Sequence, residues 1–305
     1  MRIVITGGAG YKGVLLADQL LAAGHDVTVL DNFMYGTQPV IGLLRHEKLK
    51  VLKTDVRITD YSWLKGHDVV VHLAGISGYP ACQNNPYTAH EINVEATRRI
   101  AAAMGKDQVL IYASTTSFYG SSGQVCSEET PVQPVSVYGR TKYEGECAVM
   151  ERENSISLRF ATVFGVSPKM RPDLLVNDFA LKAVNDRSVV LFEAHTKRTF
   201  VHIDDTVNAY VHSIANVERM AGRVFNVGSN DLNHSKMDIA QAIRRHVDFT
   251  IIDSEVKDFD VRNFVINYDR IGETGFSVKK TLDDGVQDLV RLYQFYRPYA
   301  PYNII

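Results

Sequence analysis

The chain has 305 residues, 45% of them hydrophobic and 22% charged, with 21 glycines, which is the profile of a soluble globular protein of one large domain or two intimate ones. Its 33 Lys and Arg against 35 Asp and Glu give a formal charge of -2, and no basic tract is present to neutralise a phosphate backbone, so nucleic acid is excluded as an expected partner. No apolar run reaches the roughly 18 to 20 residues that span a bilayer, and MRIVITGG runs into glycines instead of a signal-peptide core, so no membrane association is expected and the reading is cytoplasmic.

In chain order, β-branched runs alternate with helical patterns: RIVIT, then 11–23; DVTVL, then 38–46; LKVLK, then 59–66; DVVVHLA, then 86–104; QVLIYAS, then 136–153; and ISLRF. This rhythm predicts an α/β fold with a doubly wound parallel sheet, and runs such as VVVH and VLIY are apolar on both sides, as a sheet covered on both faces requires. From about 166 the pattern loosens, and RTFVHIDD and RVFNVGS follow as a strand leading into a helix and a further strand. The predicted division is residues 1–165 plus about 199–230 for the sheet domain, and about 166–198 plus 231–305 for a smaller, discontinuous α/β lobe. Cys82, Cys126 and Cys147 are odd in number and lack CxxC spacing, so they read as reduced packing thiols.

Gly7, Gly10 and Gly13 lie between the first strand and the first helix, where a tight turn, a close phosphate approach and close helix packing each exclude a Cβ. Asp31 ends the second strand, where a carboxylate can accept hydrogen bonds from adenosine ribose hydroxyls. Asp31 and the following Asn32 favour NAD over NADP, because neither would welcome a 2'-phosphate. Tyr138 and Lys142 stand four apart at the start of a helix and project from one face, so the ammonium can stabilise a phenolate that takes a proton from an alcohol. Tyr61 and Lys65 share that spacing and read as an exposed helix face. Tyr138 differs in following the strand VLIYAS and its polar extension Ser114, Thr115, Thr116, Ser117 at the carboxyl end of the sheet. His72, His195 and His202 have no second ligand at metal-binding spacing, so no metal is expected.

The ordered set GGAGYKG, LDN, Asp55-Val56-Arg57, VHLAG, STTSFYG, YGRTK, LRFATVFG and RTFVHIDD resembles the extended short-chain dehydrogenase/reductase superfamily, in its nucleotide-sugar epimerase/dehydratase branch (UDP-glucose 4-epimerase-like). The resemblance implies a Rossmann-type sheet domain binding NAD and a C-terminal lobe binding a nucleoside-diphosphate sugar. It implies that Tyr11 and Lys12 offer backbone contacts to the pyrophosphate, that Asp55 and Val56 lie beside adenine, that Leu73, Ala74 and Gly75 line the dinucleotide, and that Asn93 braces the strands near the active site. It makes Tyr138 the base, gives Lys142 the nicotinamide ribose and gives Thr115 the Ser/Thr role. Thr116, Thr162, Asn177 and Arg198 become substrate contacts with Arg171 as a further candidate, Thr162 standing where several members carry asparagine. It also implies a homodimer formed through the 86–104 and 136–153 helices.

The 4,6-dehydratases and decarboxylases of this branch carry an acid in the motif where this chain has Thr116 and Ser117, so the expected activity is an NAD-dependent 4-epimerase working through a 4-keto sugar. The alternatives are a 4-keto-sugar reductase, a dehydratase that recruits Glu128 or Glu129, and a catalytically silent NAD-binding scaffold.

Overall fold

The computed structural model describes residues 1–120, 124–256 and 263–298. Its strands, in chain order, are β1 (Arg2–Thr6), β2 (Asp26–Asp31), β3 (Leu49–Lys53), β4 (Val69–His72), β5 (Val109–Thr115), β6 (Val125–Cys126) and β7 (Ser155–Phe160). They continue with β8 (Thr162–Phe164), β9 (Ser188–Phe192), β10 (Lys197–His202), β11 (Arg223–Val227), β12 (Asn233–Ser235), β13 (Thr250–Ser254) and β14 (Val265–Ile266). Seven form one parallel sheet in the order β11-β7-β5-β4-β1-β2-β3. The chain moves outward from β1 through β2 to β3, then returns to β4 and builds the other way, so the carboxyl ends of β1 and β4 flank the reversal point where a crevice opens in such sheets.

Every residue of β4 and β5 is buried, because helices cover both faces. Alternate side chains enter opposite layers. Ile3, Ile5, Val69, Val71 and Ile111 pack with Leu16 and Leu20 of the Gly13–Ala22 helix and Val207 and Tyr210 of the Ile203–Ala215 helix. Val4, Val70, Leu110 and Tyr112 pack with Ala89, Ile100 and Val149 on the other side. A second core gathers Phe164, Phe179, Leu191, Phe200, Ile239, Ile243, Val286 and Leu289, from the Leu175–Asn185, Lys236–Arg244 and Leu282–Tyr293 helices and the strands beside them. Capping boxes, Ser235 with Asp238 and Thr281 with Asp284, start two of these helices. Strand β10 serves both cores, Phe200 facing the second and Val201 the first. Residues 257–262 and 299–305 of the expected second lobe lie outside the described residues.

Four local expectations change. The predicted 59–66 helix is only a 3₁₀ turn, Ser62–Leu64, because the Asp60 carboxylate captures the Ser62 N–H and hydroxyl and Gly66 takes a φ of 81°. Tyr61 and Lys65 therefore share no helix face: Tyr61 has a φ of 58° and its hydroxyl donates to the Val56 carbonyl at 3.0 Å. The 86–104 helix is interrupted by a wider π turn over Glu91–Ala96, centred on the buried Asn93. The 38–46 helix divides at Gly42 into a short α turn and a 3₁₀ turn. Finally, Cys82 and Cys126 are buried but Cys147 is exposed on the Val137–Met150 helix, so only two of the three thiols are packing groups.

The Val137–Met150 helix is fastened to β7 by a buried ion pair. Arg159 donates to Glu146 at 2.6 Å, with side-chain exposures of 6% and 2%. The remaining polar capacity is also met: Ser157 donates to Glu146 at 2.8 Å, Arg159 donates to the Tyr119 hydroxyl at 2.7 Å, and that hydroxyl donates to Asn226 at 2.8 Å. Because removing one member of such a pair strands a buried charge, Glu146→Ala is expected to lower the unfolding free energy by about 3–5 kcal/mol, read as a fall in the urea midpoint.

Candidate active site

A cavity of about 330 Å³ runs along the carboxyl ends of β1, β2, β4, β5 and β7. One end is built by the glycine loop. Gly7 has a φ of 68°, and a Cβ there would lie 2.7 Å from the Ala74 nitrogen; a Cβ on Gly13 would lie 2.6 Å from the Gly7 carbonyl. These contacts let loop, helix and β4 close together, while Gly10 donates its N–H to the Gly7 carbonyl at 3.1 Å. Asp31 accepts from the Ala9 and Phe33 N–H groups at 3.1 and 2.8 Å, and its burial pushes the carboxyl pKa up. Asn32 donates to Asp55 at 3.2 Å, and hydrogen bonds from the Arg57 side chain hold Asp55 well below the usual carboxylate range. Val56, Leu73, Ala74 and Gly75 complete this part of the wall.

At the other end, Ser136 caps the Val137–Met150 helix by accepting from the Gly139 N–H, so that Tyr138 and Lys142 occupy its first two turns and line the cavity. The Lys142 ammonium sits 4.0 Å from the centroid of the Tyr112 ring. Burial, reinforced by the Lys12 charge, brings its pKa down to about 7. Thr115 ends β5, where its hydroxyl accepts from the Ser117 N–H at 3.1 Å and donates to the Ser117 hydroxyl at 3.0 Å. Tyr11 reaches across to the second core, its hydroxyl donating to the Gly165 carbonyl at 2.6 Å and its carbonyl accepting from Ser167 at 2.7 Å.

Of the other sequence-derived site residues, Lys12 and Thr162 line the cavity. Asn93 does not: its amide brackets Ile76, accepting from the N–H and donating to the carbonyl at 2.9 Å each, and donates to Thr141 at 3.1 Å, which joins the loop after β4 to the Tyr138 helix. Three expected substrate contacts also lie elsewhere. Thr116 is buried and donates to the Phe160 carbonyl at 3.3 Å, since the 3₁₀ turn after Thr115 directs it inward and leaves Ser117 on the wall. Asn177 is fully buried, held by the Gly165 N–H, the Tyr11 hydroxyl and the Arg171 carbonyl. Arg198 is buried on β10 opposite His234 and does not line the cavity.

The sequence reading missed Ser77, Tyr79, Lys169 and Phe160, all on the wall. Lys169 donates to the Tyr35 carbonyl at 2.7 Å, and Arg171 donates to Ser77 at 2.8 Å while pairing with Asp173. Their signal was the pair of cations in SPKMRP. His72 is a core histidine between Thr6 and Thr97, its pKa lowered to about 3 by burial; His202 accepts from the Asp204 N–H; and His195 is exposed. Among the described residues no cluster of three His, Cys, Asp or Glu side chains is placed to hold a metal ion, and no helix is long and apolar enough to cross a membrane.

A glycine cradle that a Cβ would fill, carboxylates at one end and a tyrosine with lysines at the other suit an extended dinucleotide with a reacting ring at the cationic end. Comparison with known proteins gives the same family as the motifs. Residues 3–228 match the family model described as the NAD dependent epimerase/dehydratase family. The chain is 32% identical over 247 residues to the uncharacterized UDP-glucose epimerase YtcB of Bacillus subtilis, covering 75% of this chain and 77% of that protein. It is 30% identical over 268 residues to the UDP-N-acetyl-alpha-D-glucosaminuronate decarboxylase of Bacillus cytotoxicus, covering 80% and 79%. The crystal structure of UDP-glucuronic acid 4-epimerase from Bacillus cereus with UDP-glucuronic acid and NAD superposes with a TM-score of 0.85 at 25% identity, over 97% of this chain and 100% of that one. With the family model matching most of its length, the chain belongs to the NAD-dependent epimerase/dehydratase family and takes NAD as its cofactor.

Proposed function

We propose that the protein is a nucleotide-sugar 4-epimerase that oxidises the C4 hydroxyl of a nucleoside-diphosphate sugar, holds the 4-keto sugar while it turns over, and reduces its other face. When bound, NAD supplies the two-electron acceptor for the first half and the donor for the second. Tyr138 is the group that takes the hydroxyl proton and returns it, Lys142 favours its phenolate and holds the nicotinamide ribose, and Thr115, oriented by Ser117, hydrogen-bonds the sugar oxygen. Thr162, Ser117 and Arg171 are the wall groups available to the sugar and its diphosphate, Arg171 replacing the Arg198 assignment.

The observation that carries this reading is the distribution of acids. Among the described residues the cavity wall has two carboxylates, Asp31 and Asp55, and both belong to the end built by the glycine loop and β2. Loss of water across C5 and C6 needs an acid and a base beside the sugar, and among the described residues no carboxylate lines the wall at the Tyr138 end. Glu128 and Glu129, the candidates for a recruited acid, are otherwise engaged: Glu128 is buried, accepts from the Asn226 N–H at 2.7 Å and lies 3.8 Å from Arg270, while Glu129 pairs with Arg270 on the surface. The named activities of the relatives, epimerases and a decarboxylase acting on UDP-sugars, support UDP as the first nucleotide to try. A homodimer through the helices at 86–103 and 137–150 is part of the same reading.

The test is incubation of the purified holoenzyme with a panel of UDP-, GDP-, CDP- and dTDP-sugars without added cofactor, followed by mass spectrometry and proton NMR. The expected product has unchanged mass and inverted C4 couplings; loss of water or carbon dioxide would replace the epimerase reading with a dehydratase or decarboxylase. Tyr138→Phe should retain bound NAD and lose about 10²–10⁴-fold in kcat. A variant that turned over as fast as the parent would remove Tyr138 from the chemistry.

A further inference from the structure

Lys12 is a cavity-wall cation whose ammonium has no part in the proton transfer or in the sugar contacts. Position 12 needs only its backbone N–H to serve a diphosphate, yet its lysine side chain turns inward, with Nζ 4.6 Å from the centroid of the Phe160 ring and 5.9 Å from that of the fully buried Tyr210. Phe160 stands opposite Thr115 in the sheet, so the ammonium belongs to the catalytic end of the cavity. Among the described residues it has ring faces but no hydrogen-bond or ion-pair partner. Its charged neighbours are Lys142 and Arg171, both cations, and Arg171 is already matched by Asp173. Burial and the repulsion from Arg171 bring the Lys12 pKa down to about 8. Glu146 offsets the Lys142 charge only in part and is itself paired with Arg159, so among the described residues the catalytic end carries a surplus of buried positive charge.

A bound dinucleotide offsets part of that surplus with its diphosphate, equally in both oxidation states. What changes between those states is the nicotinamide ring, which is cationic when oxidised and neutral when reduced. We propose that Lys12 sets the redox balance of the bound cofactor: its ammonium disfavours the cationic ring relative to the neutral one, so that the site holds NADH in preference to NAD+. The inference rests on the assignment of Lys142 to the nicotinamide ribose and is independent of which sugar is the substrate. Oxidation of the carbinol would deliver a hydride to the bound cofactor and the hydroxyl proton to Tyr138, leaving a carbonyl, and the loss of the ring's positive charge would relieve the repulsion from Lys12. The keto sugar and reduced cofactor are thereby favoured, which gives the keto sugar time to present its other face.

The test reads cofactor composition rather than turnover. Holoenzyme is incubated with NAD+ and NADH mixtures of known ratio until the bound composition is constant, then desalted, and the released cofactor is quantified by chromatography. The parent protein should retain NADH in excess of its share in solution. Lys12→Met, which keeps the apolar stem against Phe160, should lose about tenfold of that preference, the effect of one partly buried charge, and Lys12→Gln should lose a similar amount while Lys12→Arg keeps it. An unchanged partition in the neutral variants would overturn the proposal. So would an equal weakening of both forms, which would make Lys12 a diphosphate contact. Parent protein that binds neither form would instead refute the assignment of the cavity itself.

Discussion

The buried pairing of Arg159 with Glu146 is the interaction on which the rest of the site depends. Glu146 lies one helical turn beyond Lys142, and Lys142 one turn beyond Tyr138, so the three project from one face of one helix. Anchoring the last of them to β7 sets the rotation of the helix and aims the first two at the carboxyl ends of β5 and β1. A surface ion pair could not do this, because its attraction is weak and its side chains wander. The buried pair holds its geometry because every alternative leaves a charge without a partner in a dry interior.

That anchoring has an electrostatic consequence. Lys142 is pressed against the face of Tyr112 and deprived of water, and the field that most opposes its charge comes from Lys12 on the glycine loop. Glu146 offsets this in part, acting along its own helix. Charge is thus uneven along the cavity, with Asp31 and Asp55 at one end, accompanied by Lys169 and Arg57, and Lys12 and Lys142 at the other. A groove of uneven charge suits a ligand whose own charge is distributed unevenly.

The two cores are joined through the same loop that shapes the cavity. Tyr11 bonds to Gly165, Ser167 and Asn177, and Lys169 and Arg171 reach back to Tyr35 and Ser77. Asn177 and Thr116 are likewise hydrogen-bonded within the protein, Asn177 to Gly165, Tyr11 and Arg171 and Thr116 to Phe160. They are absent from the cavity lining and buttress the elements that form it.

The sheet was legible in the residues because period-2 burial and doubly apolar strands are local patterns, and so was the glycine loop, since Gly7 and Gly13 meet backbone at distances no side chain tolerates. Tyr138 and Lys142 were legible from spacing plus their place after a strand. The spacing alone would have admitted Tyr61 and Lys65, which an aspartate turn removes from any helix. What the sequence by itself determined was the order of strands and helices and the chemical types gathered at their ends. Only the tertiary structure decided that Ser117 lines the cavity and Thr116 does not, that Arg171 stands on the wall while Arg198 is buried outside the lining, and that Lys12 turns inward beside Lys142. The reason is that patterns in sequence report a residue's own backbone period, whereas the direction of a loop side chain is set by partners far along the chain, and those distances close only when the two cores meet.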